Sequence, residues 1–370
     1  MMAEPFKNQL GEKPIKVIAD HLSNNDESFN KKRFLKIALD NLVDLSLMER
    51  NRQIVDAMHE CLPEDFIQAK TIIVNSLAPV ENQIDKQGIH SWLAVPFAEF
   101  LGKYGMHHLA HALDGLAAVT KLFSSEWGIR HLLDIHQHEV LKQLHKWCDH
   151  EDEHIRRLVS EGSRPRLPWS FQLKAFIASP DLTFPLLEKL KNDSSDYVRL
   201  SVSNHLNDIS KDHPDYLQAK LECWLDINNP QRMRLIKHAC RTLIKQGHQP
   251  TLKMLGYKPL KLSDIELSLE SNLVEYGSQL SFEFKFLGNK DKDIIIDYAI
   301  HFQKSNGSKS PKVFKWKVGK INNTGQFKAK KNHTIKPITT RKYYNGDHEL
   351  EIFVNGKSII KTSFTLKGVN

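Results

Sequence analysis

Apolar residues recur at three- and four-residue spacing through roughly the first 255 positions, the period of amphipathic helices. Ile15, Val17, Ile18 and Leu22 set the pattern, followed by Phe34, Leu35, Ile37, Ala38 and Leu42. It returns in Ile54–Leu62, Phe66–Leu77, Trp92–Leu101 and Leu109–Phe123. Turn signals such as Asn24-Asn25-Asp26, Leu62-Pro63-Glu64-Asp65 and Leu167-Pro168 separate the segments. No strand is predicted before residue 260. After Lys258-Pro259 the period becomes two, as in Leu280-Ser281-Phe282-Glu283-Phe284-Lys285-Phe286. Ile265–Leu269, Ile294–His301, Val313–Val318, Leu350–Val354 and Ile359–Leu366 read the same way, and Asn345-Gly346 and Asn355-Gly356 signal hairpin turns. About seven short strands in ~105 residues fit an immunoglobulin-like sandwich. The chain thus divides into an all-α part, 1–257, and an all-β part, 258–370.

The helical part repeats itself. Leu144–Asp149 leads to His154-Ile155-Arg156-Arg157-Leu158-Val159-Ser160, and Leu187–Asp193 leads to Tyr197-Val198-Arg199-Leu200-Ser201-Val202-Ser203. Arg156 and Arg199 stand 43 positions apart, as do Ser160 and Ser203. A weaker copy places Arg234-Leu235-Ile236 35 positions after Arg199. An Asp closing one helix and an Arg opening the next, at a period of roughly 40, mark HEAT-like helical pairs. The Asp is expected to pair with the following Arg between neighbouring repeats, and stacked pairs make a curved solenoid with a concave face.

Charge sharpens the division. The 370 residues carry a net charge of +8. Residues 1–257 hold 32 Lys and Arg against 33 Asp and Glu, whereas residues 258–370 hold 20 against 11. A basic appendage on a near-neutral body fits a polyanion partner, and equally a solubility effect. Hydrophobic residues at 40% and charged residues at 26% exclude a mostly disordered or fibrous chain. No apolar run approaches the ~18–20 residues of a spanning helix. No basic-then-apolar leader opens the chain, and the four scattered cysteines read as reduced thiols in the cytoplasm.

Candidate chemistry is sparse. There is no P-loop and no dinucleotide fingerprint. His150-Glu151-Asp152-Glu153-His154 is a literal H-E-x-x-H, but the repeat register puts it in an inter-helix turn, where two imidazoles do not share one face. His107, His108 and His111 could bind metal, or simply form a polar helix face in a chain with 19 histidines. Arg157, Glu161 and Arg164 fall on one helical face, which alone reads as a surface ladder ending at Pro165, with Trp169 capping the core. Ser201, Asn204, His205 and Asp208 line one face of the next repeat, and Glu161 and Asn204, 43 apart, are repeat-equivalent. Ser124-Ser125-Glu126 begins a helix, where Ser caps and Glu favours the dipole.

Taken together these segments carry a resemblance. Phe123-Ser124-Ser125-Glu126-Trp127-Gly128-Ile129-Arg130, Ser160–Trp169 (with Arg164-Pro165-Arg166-Leu167-Pro168-Trp169) and Ser201–Pro214 closely resemble the AlkC branch of the AlkC/AlkD DNA alkylation-repair glycosylases. Ala3-Glu4-Pro5-Phe6-Lys7-Asn8 and His238–Lys245 are similar too, so the resemblance spans roughly residues 3–256. Trp127 departs from the Phe more usual there but keeps an aromatic. Members often add a C-terminal immunoglobulin-like domain.

The resemblance implies a monofunctional DNA glycosylase that starts base excision repair on cationic alkylated bases in duplex DNA. The substrates would be 3-methyladenine, 3-methylcytosine and 1-methyladenine. It implies a cytoplasmic monomer, nucleoid-associated when bound to DNA, needing no metal, nucleotide or redox cofactor. Glu126 and Asp208 match the family's catalytic carboxylates, Glu161 a supporting acid, and Trp169 an aromatic against the lesion nucleotide. Such chemistry suits carboxylates, because the departing cationic base leaves an oxocarbenium-like sugar that they stabilise while positioning water. An indole adds a cation–π attraction of ~0.5–2 kcal/mol. The resemblance also implies access without flipping the base, in keeping with a sequence that shows no aromatic-lined base pocket.

Arg157, Arg164, Arg166, Arg199, Lys237, Arg241 and Lys245 are candidates for phosphate contacts on the concave face, with Asn204 and His205 beside them; an inter-repeat Asp competes for Arg199. In the sandwich, Lys312, Lys315 and Lys317 are read along one strand face. Arg341-Lys342-Tyr343-Tyr344 is read as a hairpin tip that clamps duplex DNA. A scaffold without activity, holding DNA or protein, fits the repeats alone. The three acids discriminate, since a holder of polyanions has no use for them.

Overall fold

The computed structural model describes residues 5–78, 88–338 and 341–369; Ala3 and Glu4 lie outside them. Sixteen α-helices and eight strands are found among the described residues. They form two compact units, Met1–Asp212 with Asn228–Ala239, and His213–Ile227 with Cys240–Asn370.

The first unit is all helix. The predicted segments form helices Glu12–Asn25, Lys31–Ala38, Leu47–Cys61, Phe66–Asn75, Val95–Tyr104 and Leu109–Thr120. Leu42 falls in a turn beyond Ala38. Helices Glu153–Gly162, Asp196–Asp212 and Pro230–Ala239 lie side by side, each touching the next. The repeats are tied by charged rungs. Arg156 grips Asp193 with two hydrogen bonds, Nε to Oδ2 at 2.6 Å and Nη2 to Oδ1 at 2.9 Å. Lys189 reaches Asp149 40 positions back at 3.1 Å, and Arg232 reaches Asn192 at the same separation with Nε at 3.0 Å. The bidentate Arg156 pair fixes one repeat on the next, because the planar fork matches a carboxylate in one geometry only.

The second unit joins helices Pro214–Glu222, Arg241–Gln246 and Gln249–Met254 to the strands. The strands are β1 Leu262–Leu269, β2 Leu273–Glu275, β3 Gln279–Gly288, β4 Asp293–Gln303, β5 Lys309–Lys320, β6 Gln326–Thr334, β7 Gly346–Val354 and β8 Lys357–Lys367. One sheet has the order β1-β3-β6 and the other β2-β8-β7-β4-β5. Phe282, Phe284 and Phe286 of β3 meet Ile296, Tyr298 and Ile300 of β4 in a shared core, the cross-section of a sandwich. The other face of β4 is covered as well, with Ile295 packed on Leu252 and Tyr257, so β4 is buried almost without alternation. Asn355-Gly356 turns β7 into β8 with both residues at positive φ, 46° and 74°, as a tight right-twisted hairpin requires. Asn345-Gly346 is no hairpin: Gly346 opens β7, and Asn345 bonds Val369 through both side-chain ends.

Candidate active site

Glu126 sits immediately before the Gly128–Ile135 helix, in a place set by two glycines. A Cβ on Gly128 would lie 2.0 Å from the Ala98 carbonyl oxygen, and one on Gly102 would lie 1.9 Å from that of Gly128. The helix start is therefore pressed backbone to backbone on helix Val95–Tyr104, an approach only glycine allows. Ser124 Oγ donates to Glu126 Oε2 at 2.8 Å, and Arg157 Nη1 donates to the same oxygen. Among the described residues no donor reaches Glu126 Oε1. The carboxylate lines a cavity of about 420 Å³.

The other two acids join Glu126 through arginines. Arg157 Nη2 lies 3.6 Å from Glu161 Oε1, which also accepts from Arg164 Nη1 at 2.6 Å. Ser201 Oγ donates to Glu161 Oε2 at 2.6 Å, across to the next repeat. Arg164 Nε then reaches Asp208 Oδ2 at 2.8 Å, and Lys211 occupies Oδ1 at 2.8 Å. Three carboxylates from three segments thus share one network with three cations. Asp208 is fully buried, yet among charges and not beneath hydrophobes. Burial pushes the Glu161 carboxyl up, but Arg157, Arg164 and the Ser201 hydrogen bond outweigh it, and its pKa lies below the usual carboxylate value. The Arg157–Glu161–Arg164 row is accordingly no surface ladder.

Trp169 stands at the cavity mouth, 59% exposed, so it does not cap the core. Its φ of +62° is left-handed, a strained state for an aromatic residue. The loop carrying it is clamped by Arg130, which is wholly buried. Arg130 Nη1 donates to the Gly162 and Arg164 carbonyls at 3.1 and 2.6 Å, while Nε and Nη2 donate to that of Phe171 at 3.2 and 2.5 Å. Burial pulls its pKa down to about 10, still charged at neutrality. Trp127 Nε1 adds a bond to the Pro168 carbonyl at 3.3 Å. Trp92, Phe123, Trp127 and Tyr197 complete an aromatic wall. Sequence shows no such pocket because the rings come from separate segments, and the roles of Arg130 and Trp92 carry no local signal.

The remaining candidates divide. Arg166 is half-exposed and pairs with Asp212 at 2.7 and 2.8 Å, and Lys237 is exposed. Arg199 is buried and held by Asp196 and the Asp193 carbonyl, so it serves the repeat and not the surface. His205 is sealed between the Ser160 carbonyl at 2.9 Å and Thr183 at 3.2 Å, and burial drops its pKa to about 4. It does not reach the surface, because its ring is wholly buried and both nitrogens are bonded inside the unit. Asn204 Oδ1 accepts from His238 Nε2 at 3.2 Å, reaching the next helix as Glu161 does.

In the second unit Arg241 is half-buried and Lys245 exposed. Lys312 pairs with Ile300 and Lys317 with Ile296, whose side chains enter the core, whereas Lys315 pairs with buried Asp297 on the opposite face. Lys312 and Lys315, three positions apart, face opposite ways by alternation alone, and a bulge at Trp316 then separates Lys315 from Lys317, so the three lysines do not share a face. Burial lifts Asp297 to about 6 against the pull of Lys315 and Lys245. The Arg341–Tyr344 stretch links β6 to β7 and is no hairpin tip. Tyr343 is buried, Arg341 stacks on Phe302 at 3.9 Å, Lys342 is exposed, and Tyr344 is half-buried. His150 lies in the turn before helix Glu153–Gly162 and His154 within its first turn, so the H-E-x-x-H pair lacks a common helical face. No helix of the described residues is long and apolar enough to cross a membrane.

Comparison with known proteins gives the family of the whole chain. Residues 263–368 match the family model described as "Uncharacterised protein YhaZ, C-terminal Ig-like domain". YhaZ of Bacillus subtilis is 35% identical over 356 residues, covering 95% of this chain and 96% of YhaZ. The solved structure of Pseudomonas fluorescens alkylpurine DNA glycosylase AlkC, bound to DNA containing an abasic site analog, matches with a TM-score of 0.89 and 31% identity. That match covers 99% of this chain and 100% of the other. A HEAT-like helical domain followed by an immunoglobulin-like domain, aligned end to end with AlkC, makes this chain a member of the AlkC branch of the AlkC/AlkD family.

Proposed function

We propose that the chain is a monofunctional DNA glycosylase that hydrolyses the N-glycosidic bond of cationic alkylated bases in duplex DNA, 3-methyladenine foremost, with 3-methylcytosine and 1-methyladenine. It acts without a cofactor. A methylated ring nitrogen makes the base a good leaving group, and the sugar turns oxocarbenium-like as the bond lengthens. Glu126 orients the attacking water and faces the developing cation. Glu161 and Asp208 hold the network that orients Arg157 and Arg164, and Trp169 lies against the lesion nucleotide. The observation that carries this assignment is that no donor among the described residues reaches Glu126 Oε1, whereas donors already fill both oxygens of Asp208 and of Glu161. Exposed Lys237, Arg166 and the sandwich lysines contact phosphates.

The test is base release from methylated duplex. Wild type frees 3-methyladenine, and Glu126→Gln slows release by about 10²–10⁴-fold. Asp208→Asn lowers stability together with rate. Should wild type free no base, the reading fails; a Glu126→Gln variant at full rate removes only the assignment of the water to Glu126. The family resemblance favours a lesion that stays stacked, whereas the aromatic-walled cavity would also accept a flipped base. A 2-aminopurine opposite the lesion separates the two, brightening only if the stack opens.

A further inference from the structure

We infer that the N-terminal turn Phe6–Leu10 is part of the active site, with Phe6 a positioning residue that, with Trp92, sets the ring of Trp169. This rests on the reading above that Trp169 meets the lesion nucleotide. Arg130 and Trp127 fix the backbone of the Trp169 loop, but backbone bonds leave χ1 and χ2 of the indole free. What touches the indole is Phe6, at 6.0 Å between ring centroids, and Trp92, at 6.2 Å. Trp92 is the hub, with Phe6 edge-on at 5.0 Å, Phe123 at 5.0 Å and Trp127 at 5.9 Å.

Three further observations converge. First, Ser91, directly before Trp92, is left-handed with φ +54°, as Trp169 is at +62°. Two strained backbone positions therefore aim two touching rings at one cavity, a clustering typical of functional sites. Second, Phe6 and Trp169 remain 52% and 59% exposed although they touch. Two exposed rings in contact beside a cavity form a contiguous apolar patch, the kind of surface that marks a binding site. Third, the turn is tied down from behind. Buried Arg50 donates from Nη1 to the Lys7 carbonyl at 3.0 Å, and Lys7 Nζ reaches the Val43 carbonyl at 2.6 Å. The anchoring holds the backbone beside Phe6 while its ring stays half-exposed against Trp169, which lines the cavity.

The readout is the ratio of affinities of the full chain for a duplex with a tetrahydrofuran abasic analogue and for the same duplex undamaged. Loss of folded protein lowers both affinities alike and cancels in the ratio. Phe6→Ala lowers it about fivefold, Phe6→Tyr restores it, and Phe6→Ala with Trp169→Ala is no worse than Trp169→Ala alone. An unchanged ratio in Phe6→Ala, or losses that multiply in the double variant, overturns the proposal. If wild type frees no methylated base, the glycosylase reading falls, while the ratio still decides whether Phe6 acts through Trp169.

Discussion

The two units use positive charge in opposite ways. In the helical unit the arginines beside the cavity, Arg130, Arg157 and Arg164, are buried or nearly so and engaged by carboxylates or carbonyls. In the sandwich the cations are mostly lysines, and Lys312, Lys315, Lys317 and Lys320 along β5 stand exposed. A planar guanidinium holds several acceptors at fixed angles, whereas an exposed ammonium is a mobile point charge. One set builds geometry and the other supplies field. Net charge alone points to the sandwich as the charged half, but the helical unit gathers its charges into one network beside the cavity.

That contrast can be broken by mutation. The largest effect is expected from Arg164→Met, which leaves buried Glu161 to Arg157 and Ser201 and buried Asp208 to Lys211; a cost of about 3 kcal/mol should appear in denaturant unfolding. Gly128→Ala drives a methyl group into the Ala98 carbonyl and should cost about 3 kcal/mol, with Glu126 displaced and base release falling beyond the loss of folded protein. Acid comes next. His205 is neutral in the folded unit, with a pKa near 4, and titrates near 6.5 when unfolded. Between those values the unfolded chain binds the extra proton, so stability falls as pH drops from about 6.5 to 4, by at most about 3 kcal/mol. His205→Gln should flatten that limb of the pH–stability curve. Smallest for stability is the triple change of Lys312, Lys315 and Lys317 to Ala, which should leave unfolding unmoved. If all three meet phosphates, the logarithmic salt dependence of DNA affinity becomes shallower by about 2–3. An unchanged slope would remove these lysines from the interface.

Much of this organisation could be read before the structure, for identifiable reasons. A period of 43 residues set Glu161 in register with Asn204, and a change from period 3.6 to period two announced the strands. What escaped were features that depend on neighbours. The polar face of helix Asp196–Asp212 reads as outward, yet Ser201, His205 and Asp208 turn towards helix Glu153–Gly162, where polar side chains satisfy one another. β6 was missed because Lys328, Lys330 and Lys331 mask its alternation at a sheet edge. A single face for the β5 lysines fails twice: odd spacing separates Lys312 from Lys315, and the bulge at Trp316, silent in sequence, separates Lys315 from Lys317. Arg130 looks like any surface arginine until a loop 30–40 residues later wraps over it.

Among the described residues Arg130 donates hydrogen bonds only to main-chain oxygens, and its one ring contact is Phe171 at 5.5 Å. Every amino acid offers a main-chain acceptor, proline included, so apart from Phe171 the hold is blind to which side chains the rim displays. The rim could therefore be diversified in a laboratory library, with new groups tried around the opening for bulkier adducts, while the loop stays docked. An attempt to vary Arg130 itself would instead undo every such library at once.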